Sequence, residues 1–349
     1  MVNAANRSFV KAFGAISTGA ATFAHPLGAA MKLADTLRIG DKRRKYRATR
    51  FLMGTKVTIV ALHSSRDAAD TAMSLAFEEV ERLAAIFDRH NPGTQVSKLN
   101  ETGKLTDVPP ELHEVMEKAL SFYYRSNGTF DATVLPVLDM LKSNMDSKGQ
   151  LMLSLSDLDD ARALVGSEFV KVSSSEISFG KRSMSVTLDG IGRGFIVDRA
   201  SDIMAANGVE NHLISAGGDI RARGECAPGQ PWVVAIKSPS GKGVYPAVIQ
   251  LKDSAVATSG NVEFYFDAER SYYQIPTPVN TPGPILGVCV SVVAPTVLEA
   301  DALSTSAFVM DAQDALRFIN KQKDSECLIS SSSGVKMDSQ NWLAMVGSK

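Results

Sequence analysis

Cysteine is scarce in this 349-residue chain: Cys226, Cys289 and Cys327 are widely separated and fall in no CxxC or Cys/His pattern. That excludes a cysteine-based zinc site, and an odd number leaves at least one thiol unpaired, so buried free thiols are expected. Long hydrophobic runs are absent, and without ~20 consecutive apolar residues there is no transmembrane span. Net charge is −1, with 37 Lys and Arg against 38 Asp and Glu. A chain so balanced lacks the basic surplus of an electrostatic nucleic-acid binder. No internal repeat is visible. What remains is ordinary globular composition, 44% hydrophobic and 21% charged, sufficient for one large domain or two small ones.

The N-terminus differs from the rest. Residues 1–30 read as an export signal of twin-arginine type, with Arg7 and Lys11 before a weakly apolar Ala/Gly-rich stretch and Asn6 in place of the first arginine. This points to the periplasm; the alternative is a disordered cytoplasmic tail. Residues 31–49, which include DKRRKYRAT, read as a basic linker, and the folded domain is placed at 50–346. Within it, Val57, Ile59 and Ala61 alternate as in a strand, and residues 66–87 and 110–125 carry apolar residues at helical spacing. Further helices are expected near 156–166, 195–207 and 311–322, and strands at 211–216, 231–237, 245–251 and 286–293. The irregular mixture predicts an α+β fold rather than a doubly wound sheet.

Two glycine-dense turns flank the helix expected at 195–207: Gly190, Gly192 and Gly194 before it, and Gly217-Gly218-Asp219 after the following strand. Glycine lets bare backbone approach a ligand, and a helix N-terminus favours anions. Tight packing accounts for the same pattern. Asp301 and Thr305, four residues apart, offer a carboxylate and a hydroxyl on one helical face to a hard cation such as Mg²⁺. A helix cap built from Asp301 and Ser304 is the alternative.

Taken in order, FLMGT (51–55), TQVSKLN (94–100), SNGTFDATVLPVLDML (126–141), LDGIGRGFIVDRA (188–200), ISAGGDIRARG (214–224), AVATSGNVEFYF (255–266) and SVVAPTVLEADALSTSAFVM (291–310) resemble the ApbE family of FAD:protein FMN transferases. The resemblance implies a single large domain of mainly antiparallel sheets flanked by helices. It implies Mg²⁺-dependent transfer of FMN from FAD to a Ser or Thr of an acceptor protein, through a phosphoester and with release of AMP. The acceptor would be a membrane or periplasmic redox subunit. Asp301 would be the catalytic metal ligand, joined by Thr305 and the carbonyl of Gly190. FAD would meet Met53, His90, Thr129, Phe130, Asp131, Thr187, Arg193 and Ile275, with the turn at Gly217–Asp219 in support. Departures from the family pattern are His90 for a stacking tyrosine, Arg193 for a lysine, Gln274 for a histidine and Thr277 for an aspartate. Gln274 cannot act as a general base, which leaves two alternatives: a weakened FAD-binding carrier or assembly protein, or an FAD pyrophosphatase that uses water as acceptor.

Overall fold

The computed structural model describes residues 43–144, 155–236, 238, 245–260 and 288–346. The expected export signal at 1–30, most of the expected linker, and Gln274, Ile275 and Thr277 lie outside the described residues.

A hairpin opens the fold: β1 (Arg44–Leu52) and β2 (Thr55–His63) join through Met53-Gly54. Both turn residues have positive φ, 51° and 68°, as a two-residue loop of this twist requires. β1 takes residues 44–49 from the stretch expected to be linker. Its basic composition hides an alternation in which Tyr46, Ala48 and Leu52 pack against the core. Arg50, on the same face, lies over the Phe77 ring at 4.6 Å. Charged side chains suit a strand at the end of a sheet, where they discourage further pairing.

Next come α1 (Arg66–Phe87), α2 (Gln95–Thr102), β3 (Lys104–Thr106), α3 (Pro110–Arg125), α4 (Leu135–Ser143), α5 (Leu155–Arg162), β4 (Val170–Val172) and β5 (Glu176–Phe179). The central part holds α6 (Gly192–Ala206), β6 (Asn211–Ala216), β7 (Asp219–Arg223), β8 (Trp232–Ile236), β9 (Ala247–Leu251) and β10 (Ser254–Gly260). The last part holds β11 (Val288–Ala294), α7 (Val297–Phe308), α8 (Ala312–Ile319), β12 (Glu326–Ser331) and β13 (Lys336–Asp338). One sheet runs β1-β2-β6-β7-β10-β11-β12-β13, and its described pairings are all antiparallel. The α+β expectation holds.

Helices α1, α6 and α7 cover one face of this sheet, and the β8–β9 hairpin covers the other. In β2, Val57, Ile59 and Ala61 enter the helix-side core, while Val60 and Leu62 meet Trp232, Val234 and Ile249 on the far side. The strand is therefore apolar on both faces, more than a half-buried alternation predicts. Helix α1 buries Ala69, Met73, Ala76, Phe77, Val80 and Leu83, the stripe its spacing predicts, and Ser65 caps it by accepting the Ala68 amide at 3.3 Å. Helix α6, expected at 195–207, starts earlier, at Gly192, and is not amphipathic: Gly192–Val197, Ala200, Ser201 and Met204 are all buried. It lies between α1 and α7, so little of it meets water. Cys289 and Cys327 are buried and Cys226 is half-buried; none of the three forms a disulfide. Among the described residues no helix is long and apolar enough to cross a membrane.

Candidate active site

Helices α6 and α7 meet backbone to backbone. A Cβ on Gly194 would lie 2.7 Å from the Leu298 Cα and the Val297 carbonyl oxygen, so only glycine permits the approach. This contact carries Asp301 to the first turn of α6, where its Oδ2 accepts the Gly194 amide at 3.3 Å. The capping alternative for Asp301 is overturned. Helix α7 begins at Val297, its cap is Thr296, whose hydroxyl accepts the Glu299 amide at 3.2 Å, and Asp301 lies a turn further in.

The turn before α6 reaches the same place. A Cβ on Gly190 would stand 3.0 Å from both the Oγ1 and the Cγ2 of Thr305, and 3.4 Å from the Phe130 ring. The backbone of Gly190 thus abuts the Thr305 hydroxyl. Ser304 Oγ donates to the Asp301 carbonyl at 3.0 Å, Ser259 Oγ lies 2.8 Å from Ser304 Oγ, and Thr305 Oγ1 lies 3.4 Å from Ser259 Oγ. Because the Ser304 proton is committed, Ser259 donates to Ser304 and is free to accept the Thr305 proton. The Thr305 lone pairs are left for another partner.

Asp301 is 1% exposed. Burial pushes its carboxyl well above the usual range, and the nearby charge of Asp219 pushes the same way; Arg193 and the Gly194 amide oppose. Asp219, also raised by burial, is held by Arg193 in a buried ion pair. With both carboxyls ionised, the single guanidinium would leave the cluster short of one positive charge. A hard divalent cation fits that deficit and the all-oxygen donor set of Asp301, Thr305 and the Gly190 carbonyl. Among the described residues no three His, Cys, Asp or Glu side chains gather as a metal cluster, so any cation here depends on neutral oxygens as well.

Beside this cluster opens a cavity of about 620 Å³, lined among others by Met53, His90, Asp189, Gly192 and Arg193. Met53 reaches it from the strained hairpin turn, and His90 from the loop after α1. Burial, then the Arg89 charge, lowers the His90 pKa, so its ring is neutral near pH 7. Arg193 keeps its Nη2 buried without a hydrogen-bond partner, although its Nε is bound to Asp219. An orphaned guanidinium nitrogen on a cavity-lining residue fits an anionic or carbonyl-bearing ligand.

The remaining expected residues that are described do not line this cavity, although the Phe130 ring borders Gly190. Thr187 lies just behind the wall and accepts from Arg89 Nε at 3.2 Å. Phe130 packs on Phe122 with centroids 6.0 Å apart. Asp131 is committed internally, with Oδ1 accepting the amide and hydroxyl of Thr133 at 2.8 and 2.6 Å and the Ser167 hydroxyl at 2.7 Å. Thr129 lines a second cavity, of about 920 Å³, with Phe308 and Arg317. Arg89, Asp189, Ser259 and Asp219's ion pair are the site features that motif reading missed or left undefined. Arg89 carries no signal of its own in the sequence, because its partners are about a hundred residues away.

The antiparallel α+β fold is shared with solved structures of ApbE proteins. The ApbE protein of Thermotoga maritima superposes with a TM-score of 0.77 at 27% identity, covering 87% of this chain and all of that one. The flavin transferase ApbE of Vibrio cholerae gives 0.75 at 20% identity over 87% of this chain and all of its own, a likeness of fold. Residues 53–329 match the ApbE family, and the chain belongs to it. Among curated relatives, the FAD:protein FMN transferase of Haemophilus influenzae is 26% identical over 259 residues, 70% of this chain and 75% of that protein. That of Vibrio cholerae is 29% identical over 241 residues, 66% and 72% of the two chains.

Proposed function

We propose that this protein is a Mg²⁺-dependent FAD:protein FMN transferase, which attaches FMN to a Ser or Thr hydroxyl of an acceptor protein and releases AMP. Flavin transfer is the activity its relatives are named for. The observation that carries the finer reading is the buried Asp301 carboxyl at the Gly194 amide, one helical turn before Thr305, whose hydroxyl abuts Gly190, next to the cavity lined by His90 and Arg193. Asp301, Thr305 and the Gly190 carbonyl would hold Mg²⁺, which supplies charge neutralisation at a pyrophosphate.

The chain's own residues do the positioning. Arg193 Nη2 donates to the bound anion while Asp219 fixes its Nε. His90, neutral and flat, presents a ring to the flavin. The acceptor oxygen forms a bond to the FMN-side phosphorus as the phosphorus–oxygen bond to AMP breaks, and the hydroxyl proton leaves to solvent or a base. Gln274 in place of the family histidine favours one second reading, an FAD-binding carrier with weakened transfer. On sequence grounds alone we also propose export to the periplasm, where a redox subunit would be the acceptor.

Calorimetry with Mg²⁺ present tests the ligand: FAD should bind more tightly than FMN, because only FAD brings a pyrophosphate to the cation. Equal affinities would contradict the reading.

A further inference from the structure

We propose that Arg89 is a positioning residue that locks the flavin-facing loop to the metal-facing turn and cancels the charge of Asp189. The inference rests on the flavin and metal reading above, and it assigns a role to a residue that no motif marks.

Arg89 directly precedes His90 in the loop between α1 and α2. The main chain of this loop is already fixed: His90 N–H donates to Asp88 Oδ1 at 2.8 Å, and Ser97 Oγ donates to the Arg89 and Asn91 carbonyls at 3.1 and 2.9 Å. The Arg89 side chain is therefore not needed to hold its own loop. It spans instead to the turn before α6, where Nη2 meets Asp189 Oδ2 at 2.8 Å and Nε meets Thr187 Oγ1 at 3.2 Å. The pair is mostly screened from solvent on the arginine side, at 15% exposure, and less so at Asp189, at 34%.

Thr187 is anchored in turn, its amide donating to the Ala132 carbonyl at 2.8 Å. The next residue after Asp189 is Gly190, whose backbone abuts Thr305. One guanidinium thus ties the His90 wall to the carbonyl-bearing turn. Asp189 lines the cavity and lies near enough to Asp301 for its charge to act there. Without Arg89 the cavity would present an uncompensated carboxylate to a pyrophosphate, and like charges repel. Arginine suits the task because its planar fork engages a carboxylate and a hydroxyl together, which a lysine ammonium does less rigidly.

A double-mutant cycle tests this, with FAD dissociation constants read from flavin fluorescence at fixed Mg²⁺ and thermal midpoints read in parallel. Arg89→Met should weaken FAD binding about tenfold, and Asp189→Asn only about two- to threefold. Adding Asp189→Asn to Arg89→Met should restore affinity to about that of Asp189→Asn alone, because the repelling charge is gone. Arg89→Lys should fall between wild type and Arg89→Met. A double variant as weak as Arg89→Met, or an Arg89→Met protein that binds FAD like wild type, overturns the proposal. A change in thermal midpoint without any change in affinity overturns it equally, since packing alone would then explain the contact. Should wild type itself bind no FAD, the flavin reading falls and this inference with it. Failure of rescue against a normal wild type removes this inference alone.

Discussion

Asp198 and Asp301 are exchanged between two helices. Asp198 of α6 accepts the Val297 and Leu298 amides at the start of α7, at 3.0 and 2.9 Å, and Asp301 of α7 accepts the Gly194 amide at the start of α6. Each helix offers its positive end to a carboxylate of the other. The two carboxylates then differ in how far they are satisfied. Asp198 accepts two amides and lies 3.8 Å from Arg221, whereas Asp301 accepts one amide and faces the site. Replacing Asp198 with Ala should therefore act on folding, losing roughly 1–3 kcal/mol by leaving two buried amides unpaired. Urea denaturation measures this, and a loss within error of zero would show that the amides find other partners.

Asp301→Asn should behave in the opposite way. The amide side chain keeps an acceptor for Gly194 and spares the fold the cost of burying an ionisable carboxyl, so the metal-free variant should be as stable as wild type or more so. Its thermal midpoint should no longer rise on adding Mg²⁺, and Thr305→Val should show a reduced rise. A clearly destabilised metal-free Asp301→Asn protein that still responds to Mg²⁺ would place the carboxylate in a purely structural role.

Two glycines of the same motif should part company. Gly194→Ala drives a Cβ to 2.7 Å from α7 backbone, and backbone has nowhere to go, so a loss of ~3 kcal/mol or failure to fold is expected. Gly190→Ala meets the Thr305 side chain at 3.0 Å, which can shift by a few tenths of an ångström. That variant should fold and lose Mg²⁺ response. Circular dichroism melts with and without Mg²⁺ separate the two; equal damage to both folds would refute the distinction.

His212 provides a pH test away from the site. Its Nε2 lies 2.7 Å from Ser201 Oγ and its Nδ1 2.7 Å from the Val209 carbonyl, and burial pushes its pKa down to about 4. A histidine whose folded pKa lies below its unfolded value contributes stability that is present above the unfolded pKa and lost as the pH falls. The window is thus from about pH 6.5 down to about pH 4. Wild type should lose on the order of 3 kcal/mol across it relative to His212→Gln, measured by urea unfolding at each pH. Parallel pH profiles for the two proteins would show that the imidazole is not held neutral.

Much of the fold was legible because periodicity reports burial. The stripe Ala69–Leu83 and the helix boundaries at 66–87 and 110–125 are where spacing puts them. Legibility failed where composition masks pattern. Basic residues hide the core-facing alternation of β1, and near-total burial removes the amphipathic signal from α6. At the site, the convergence of Asp301, Thr305 and Gly190 is readable because Asp301 and Thr305 sit four apart and Gly190 lies in a glycine motif. Arg89, Ser259 and the Arg193–Asp219 pair are contacts between distant elements, and neither propensity nor spacing encodes those. Motif order singled out His90 and Arg193, which the fold brings to one cavity, and also Asp131, whose carboxylate is occupied by Thr133 and Ser167.

The most direct test of the central claim follows both halves of FAD in one reaction. Protein, FAD, Mg²⁺ and a Ser/Thr-bearing acceptor peptide are incubated together, AMP is quantified by chromatography, and the peptide is weighed by mass spectrometry. The account predicts AMP and FMN-modified peptide in equal amounts with wild type, and neither with Asp301→Asn or with excess chelator. AMP together with free FMN and unmodified peptide would make the protein a pyrophosphatase. Intact FAD bound to wild type, with no AMP formed at any Mg²⁺ concentration, would contradict the transferase reading outright.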